Sequence, residues 1–450
     1  MTKRGRRKLT RVYEQVTVPF AATPTRETPR IERWAHPLVW TERMLTTLLE
    51  NKVRGGKWHT LYDKVMSRQN LYSSAMKVTG KQSAAGVDQQ TVDEFFAQRL
   101  PEIDHLQQEL KDESYRPLPV RRVEIPKPGS NEKRPLGIPT VRDRVVQTAL
   151  VRVLEPIFDH TFHERSFGFR HERGCIDALK CVEQLLNAGY VWVVDADLKG
   201  YFDTIPKDRL LQLVKQKISD SAVLRLIERY LEQEIMTELK TWTPESGVPQ
   251  GAVLSPMLSN VYLNPLDHLM AEKGFQMVRY ADDFVILCRS QSEAETALEE
   301  IRVWVAEAGL TLHPEKTHIV DSREKSFGFL GYSFRGKLRF PRDKSHRKVV
   351  DRIRELTPRK SGESIECTIA RINRSMKGWF HYFRHCFWNT FDKYDEMLRS
   401  RLRDMLVKRN RRNSKRLPRT KRWPNAYFSE LGLYSLREAH TRLVQSMGTY

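Results

Sequence analysis

Apolar positions along the chain change period several times, and each change marks an element. Met277-Val278-Arg279-Tyr280 and Phe284-Val285-Ile286-Leu287 are short apolar runs on either side of Ala281-Asp282-Asp283, which predicts two paired, buried strands with a carboxylate pair at their turn. Val191 to Leu198 is another strand-like run, and Leu310-Thr311-Leu312 a shorter one. Three- and four-residue spacing predicts helices from Lys57 to about Gln108, with Gly86-Val87-Asp88 as a turn before a helix that begins at Thr91. The same spacing predicts amphipathic helices over Val141 to Phe158 and Glu293 to Ala308. Pro117 to Pro139 predicts strands around the loop Pro126-Lys127-Pro128-Gly129-Ser130-Asn131-Glu132-Lys133-Arg134, whose Pro, Gly and Asn residues are hairpin chemistry. Ser255 before Pro256 and the periodic run Met257 to Leu263 reads as an N-cap and first helical position.

Strands alternate with helices up to about Phe334, without an internal repeat or a glycine-rich P-loop. This order predicts an α+β domain rather than a Rossmann sheet. Residues 335–348 read as a basic, turn-rich linker. Beyond it, Val349 to Leu356, Ile365 to Phe387 and Phe391 to Val407 carry helical spacing, interrupted by Gly362 and Gly378, and predict a three-helix unit within 349–450. Trp379, Phe380, Tyr382, Phe383, Phe387 and Trp388 are read as its core, with stacking on RNA as the alternative. Residues 1–56 are basic and carry several prolines, the pattern of a flexible or partner-ordered arm. Trp34, Trp40 and Trp58 imply that part of this region packs.

Charge narrows the partner. Lysine and arginine exceed aspartate and glutamate by 77 − 56 = 21, and an excess of that size points to a polyanion, since each neutralised phosphate releases counterions. No apolar run approaches the roughly 20 residues that span a bilayer, and no basic amphipathic terminal helix stands out. From Arg401 to Arg422 there are eleven Lys or Arg residues and one acid, Asp404. A solvated face mixes signs, so this run favours phosphate contact. The candidates are Arg401, Lys408, Arg409, Arg411, Arg412, Lys415, Arg416, Arg419, Lys421 and Arg422. The five cysteines contain no Cys-x-x-Cys pair, and no apolar signal core follows the basic start of the chain, so free thiols and cytoplasmic residence are expected. His381 and His385 lack the intervening acid of a zinc-protease pattern, so packing or RNA contact is the reading there.

The candidate chemistry is carboxylate chemistry. A buried Asp282-Asp283 step is costly unless a cation neutralises it, and oxygen-only ligands point to magnesium. Asp195 and Asp197 end the Val191 run two residues apart on one strand face, so spacing does not choose between them. Either would complete a three-carboxylate site for two ions that activate a hydroxyl and stabilise a leaving oxygen. Gly251 in Pro249-Gln250-Gly251 lets the backbone come close to a nucleotide or template base.

Seven blocks then carry a resemblance. They are Arg134-Pro135-Leu136-Gly137-Ile138-Pro139-Thr140, Ser166-Phe167-Gly168-Phe169-Arg170, Asp197-Leu198-Lys199-Gly200-Tyr201-Phe202-Asp203, Gln250-Gly251-Ala252-Val253-Leu254-Ser255-Pro256, Tyr280-Ala281-Asp282-Asp283, Leu312-His313-Pro314-Glu315-Lys316-Thr317 and Phe329-Leu330-Gly331-Tyr332. In type and order they resemble those of group II intron reverse transcriptase/maturases, and with the thumb they cover about residues 57 to 430.

The resemblance implies a right-hand polymerase, with an RNA-binding N-terminal extension at 57–115, fingers and an antiparallel palm at 116–334, and a helical thumb/maturase domain with a basic tail at 349–450. Asp197, Asp282 and Asp283 match the metal-binding acids, with the Leu198 carbonyl as a further ligand to the two Mg²⁺ ions. Phe202 matches a sugar gate that excludes a 2′-hydroxyl by sterics. Gln250 and Gly251 fall in a substrate-binding block. Lys127, Lys133, Arg134, Arg142 and Arg144 fall where the fingers clamp a triphosphate. Lys316 matches a lysine proposed to protonate departing pyrophosphate, and a solvated surface lysine is the competing reading.

The activity so implied is RNA-dependent DNA synthesis by an enzyme that also helps its intron RNA splice. Its partners would be intron RNA, an RNA template with a DNA primer, target DNA and deoxynucleoside triphosphates, in a bacterial-type, nucleoid-associated setting. No endonuclease-type Cys or His-Asn cluster follows, as in the compact group IIC lineage, so a borrowed primer is expected. A splicing factor with an idle polymerase site and a stand-alone reverse transcriptase in defence or repair are the alternatives.

Overall fold

Thr140 accepts a hydrogen bond from Asp143 N and starts the long helix Val141–Asp159, around which one half of the described chain is built. The sequence predicts an amphipathic helix here, but nearly every face is buried. Its polar residues are bonded within the protein instead of facing water. Arg144 donates to Pro139 O at 3.0 Å, Ser83 Oγ at 2.6 Å and Ala84 O at 2.7 Å, and Gln147 accepts from Leu254 N at 3.2 Å.

The computed structural model describes residues 39–41, 44, 45, 48, 56–126, 133–238, 240–409 and 418–447. They fall into two units, one of residues up to 181 together with 194–319, the other of 182–193 together with residues from 320 onward. Most of the expected N-terminal arm, and Lys127 with its loop, lie outside the described residues. Trp40 is described and packs, buried edge-on against Trp58 at 5.7 Å.

In the first unit, helices Arg68–Thr79, Val92–Ala97 and Arg99–Lys111 precede the sheets. Thr91 forms a full capping box with Glu94, so the helix begins where the sequence predicts. Strands β1 (Val120–Pro126), β2 (Lys133–Ile138), β4 (Ile235–Met236) and β5 (Thr241–Trp242) form a sheet in the order β2-β1-β4-β5. The β1–β2 pair is antiparallel, as expected of a hairpin, and β4 joins β1 in parallel. A second sheet has the order β6-β7-β3-β8, from β3 (Trp192–Asp197), β6 (Gln276–Tyr280), β7 (Asp283–Cys288) and β8 (His318–Asp321). Strands β6 and β7 pair antiparallel with Val278 opposite Val285 and Tyr280 opposite Asp283. Their two-residue turn is therefore Ala281-Asp282. The helix Ser255–Glu272 starts as predicted, but Leu254 is its cap residue, and Ser255 Oγ donates to Pro249 O at 2.8 Å rather than accepting an amide.

In the second unit β9 (Phe327–Phe329), β10 (Tyr332–Arg335) and β11 (Leu338–Pro341) form an antiparallel sheet. The supposed linker 335–348 is structured. It contains the Gly336 turn, β11 and the start of helix Asp343–Leu356. Arg339 in it is buried and ion-paired with Glu183. Helices Ile365–Phe383 and Asn389–Arg409 follow, then Arg419–Arg422, Asn425–Glu430 and Leu436–Met447. The last three were not predicted. Rings fill the helical core: Trp379 stacks on Phe383 at 4.9 Å and meets Tyr394 edge-on at 5.0 Å, while Phe380 meets Phe391 at 5.4 Å. Asp395 accepts from Ser435 Oγ at 2.6 Å and Leu436 N at 3.0 Å, which fixes the start of the last helix.

Candidate active site

The Ala281-Asp282 turn is held from behind. Arg279, fully buried in β6, donates to Asp267 Oδ1 at 2.7 Å, to Asn260 Oδ1 at 2.9 Å and to Ala281 O at 2.9 Å. Asn260 in turn donates to Gly168 O at 2.8 Å, and Phe167 N donates to Arg279 O at 2.9 Å. The Ser166–Arg170 block and the helix Ser255–Glu272 thus clamp one turn. Contact there is so close that a Cβ on Gly168 would stand 2.1 Å from Ala281 N. Ala281 itself sits at φ 60°, left-handed backbone that an L-residue holds only when its surroundings impose it. None of Arg279, Asp267, Asn260 or Gly168 was singled out from the sequence. A cation inside the apolar strand run and an acid inside an apolar helix were the available signal, since a buried charge needs a partner.

Asp197 ends β3, the hydrogen-bonded neighbour of β7. Past it, Lys199 N donates to Thr311 O at 2.8 Å and His313 N to Asp197 O at 2.7 Å. That pairing carries the 313–317 turn to the strand end, where Lys316 Nζ lies 2.7 Å from Asp197 Oδ2. Burial pushes the Asp282 carboxyl above its ordinary range and the charge of Asp197 adds to the shift, while Arg134 and Arg279 oppose it. Asp197 and Asp282 therefore share one field. Their all-oxygen chemistry and mutual repulsion fit a divalent cation between them. Among the described residues, no group of three His, Cys, Asp or Glu side chains is arranged to hold a metal. Lys316 is thus the basic partner of Asp197.

Phe202, five residues after Asp197, is buried edge-on to Tyr201 at 5.4 Å and to the exposed ring of Phe169 at 6.5 Å. Its carbonyl accepts from Val248 N at 2.7 Å. From there the chain reaches Gln250, whose Oε1 accepts from Arg134 Nε at 3.0 Å and whose carbonyl accepts from Gly137 N at 2.6 Å. A cavity of about 310 Å³ opens here, lined by Arg122, Asp203, Trp242, Val248 and Gln250 among others. Burial raises the Asp203 carboxyl, against the pull of Arg122 and Arg134.

The fingers cations divide. Arg134 faces the acids. Lys133 pairs with Glu124 at 3.3 Å on the hairpin. Arg142 is engaged by Glu102 at 3.4 Å and Glu109 at 2.8 Å, and Arg144 is the buried bridge described above. The structure does not bring Arg142 or Arg144 to the acids. At Gly251, φ 107°, an added Cβ would stand 2.4 Å from Gly137 O, so the absence of a side chain lets these two backbones pack closely. Leu198 is buried and bridges Leu312.

Of the basic run, Arg401 donates to Thr357 Oγ1 at 2.6 Å and Thr357 O at 3.0 Å, Arg409 bonds Glu363 O, Arg419 pairs with Asp404, and Arg422 lies 4.6 Å over the Trp423 ring. These arginines hold the helical unit together. Arg411, Arg412, Lys415 and Arg416 lie outside the described residues. No described helix is long and apolar enough to cross a membrane.

Comparison with known proteins gives the same reading. Residues 125–334 match the reverse transcriptase (RNA-dependent DNA polymerase) family and 346–423 the group II intron maturase-specific domain. The chain is 33% identical to protein YkfC of Escherichia coli (strain K12), over 60% of this chain and 81% of that protein. It is 38% identical to the group II intron-encoded protein LtrA of Lactococcus lactis subsp. cremoris, over 45% of this chain and 33% of LtrA. The chain thus aligns with only a third of LtrA's length.

Proposed function

Because the chain belongs to the group II intron reverse transcriptase/maturase family of RNA-directed DNA polymerases, we propose that it copies its intron RNA into DNA at the Asp197–Asp282 site and assists that RNA's splicing. The observation that carries the proposal is that Asp197 and Asp282 fall in one field, which Arg134, bonded to Gln250, also enters.

Asp197 and Asp282 would hold magnesium, with Asp283 and the Leu198 carbonyl as the further ligands expected from the family pattern. The bound ions supply activation of a primer 3′-hydroxyl and charge neutralisation on the leaving pyrophosphate. The chain's own residues do the rest. Arg134, tied to Gln250, presents a planar cation beside the acids for the triphosphate. Phe202 forms a fixed wall, because Val248 N holds its carbonyl, and a fixed ring discriminates against a 2′-hydroxyl by clash. Lys316 Nζ, within 3 Å of Asp197 Oδ2, is placed to give a proton to pyrophosphate once the acid has another cation. The cavity beside Gln250 suits the template nucleotide. Free cysteines support a reducing, cytoplasmic setting, and the net charge of +21 supports RNA and target DNA as partners.

The test replaces Asp282 and Asp283 with Ala. Complementary DNA synthesis on an RNA template should vanish while intron splicing support persists. Undiminished synthesis would remove the proposed site, and a wild-type protein that binds intron RNA without extending any primer would instead favour the splicing factor.

A further inference from the structure

Helices Ile365–Phe383 and Leu436–Met447 face each other across a cleft of about 530 Å³. Lys377, Phe380, His381 and Arg384 line one wall, and Ala439, Arg442 and Ser446 the other. Spacings of three, four and seven are those by which two helices close a seam. Here cations stand where a seam needs apolar side chains. Lys377, Arg384 and Arg442 repel one another across the gap, and among the described residues none of the three is ion-paired with a carboxylate. The arginines of the 401–422 run differ, since those described are largely spent on internal bonds.

The floor is aromatic. Phe380 and Tyr434 meet edge-on at 6.1 Å, and Lys377 Nζ stands 5.6 Å over the Tyr434 ring. Tyr434 is fixed in place, because its N–H donates to Asn373 Oδ1 at 2.8 Å while Asn373 Nδ2 donates to Gly432 O at 2.8 Å. A half-buried ring beside cations that have no carboxylate partner among the described residues, in a space large enough for a small ligand, matches a base with its phosphates. The far wall lies beyond residues 346–423, the part matched by the maturase-specific domain.

We propose that this cleft binds an unpaired nucleotide of an RNA strand, its base against Tyr434 and its flanking phosphates on Lys377, Arg384 and Arg442. The proposal rests on the reading that the helical unit grips RNA, and it moves part of that grip from the basic run to the cleft. Base stacking serves any sequence, and the three cations add a salt-dependent share.

The test uses the full chain with three probes: a mixed-sequence single-stranded RNA 20-mer, an RNA duplex of the same sequence, and ATP. Binding is followed by fluorescence anisotropy across salt concentrations, with 4-thiouridine crosslinks mapped by mass spectrometry. Arg384→Glu combined with Arg442→Glu should weaken single-strand binding at least ~10-fold and flatten the salt slope by about 1.4, two contacts at roughly 0.7 each. Tyr434→Ala should cost about 10-fold on the single strand, spare the duplex and abolish a crosslink at residue 434. Lys377→Gln, an exposed change, repeats the charge test should the double variant fail to fold. Primer extension on an RNA template should stay within about twofold of wild type at saturating template. Unchanged binding in all variants, equal losses on duplex and single strand, or saturable ATP binding at this cleft would each overturn the proposal. A wild-type chain that fails to bind any RNA would fault the reading beneath it.

Discussion

Gly168→Ala tests whether the clamp behind the Ala281-Asp282 turn matters for catalysis. The added Cβ would lie 2.1 Å from Ala281 N and 2.8 Å from Tyr280 C, distances that real Cβ atoms do not tolerate below 3.0 Å. Both neighbours are backbone, and Asn260 pins Gly168 O at 2.8 Å, so no flexible side chain can yield. Relief requires the turn to move by about 1 Å, the difference between 2.1 and 3.0 Å. Asp282 rides on that turn. Misplacing a reacting group by ~1 Å costs roughly 10²-fold in rate, and overpacking costs about 1–3 kcal/mol of stability. The expected result is about a 100-fold lower single-turnover rate of primer extension, with RNA binding retained and a modest loss in urea-melt stability. Gly378→Ala is the control, because nothing lies within 4 Å of its Cβ position. There the helix should gain about 0.5–1 kcal/mol and the rate should hold. If Gly168→Ala extends primers at near wild-type rate, the clamp does not set the position of Asp282.

Three further outcomes follow from the same geometry. Phe202→Val should raise ribonucleotide incorporation relative to deoxynucleotide at least ~10-fold in competition assays, at a stability cost of about 2–4 kcal/mol for the buried ring; unchanged sugar selectivity would make Phe202 a core residue only. Lys316→Ala should lower the single-turnover rate about 10²-fold, with Lys316→Arg less impaired; an unaffected rate would leave Lys316 a surface lysine. Burial, with help from Asp159, pushes Glu155 up to about 7 from an ordinary 4.5, against the pull of Lys77. The folded state then binds this proton more tightly than the unfolded one, so the penalty grows as pH rises from about 4.5 through about 7 and is full above it. Glu155→Gln should therefore raise the melting temperature at pH 8 and leave it unchanged at pH 4; an equal effect at both would exclude ionisation as the cause.

Much of the site was readable because its elements are local. Period-two and period-four patterns depend on neighbours in the chain, so β6 and β7, the helix after Pro256 and the Thr91 start were predicted from short windows. Misreadings came where the burial of a residue is decided by distant segments. Val141–Asp159 looked amphipathic, because nothing in its own sequence says that Ser83, Ala84 and Leu254 will satisfy its polar face. The supposed linker at 335–348 looked solvated for the same reason, since Glu183, more than 150 residues away, neutralises Arg339. The short strands β4 and β5 escaped notice because two residues carry no period.

The chain by itself determined which residue types could do chemistry and in what order: carboxylates at strand ends, an aromatic after the first, a charge excess that seeks phosphate. Tertiary structure decided which of them meet. It put Asp197 in the field of Asp282 and beside Lys316, tied Arg134 to Gln250 while giving Arg142 to two glutamates, and bonded Arg401 and Arg409 to oxygens of their own unit. The reason is physical. Spacing fixes the face a side chain points from, but a charge takes whichever partner the folded chain places within hydrogen-bond reach, and that is a property of segments far apart in sequence.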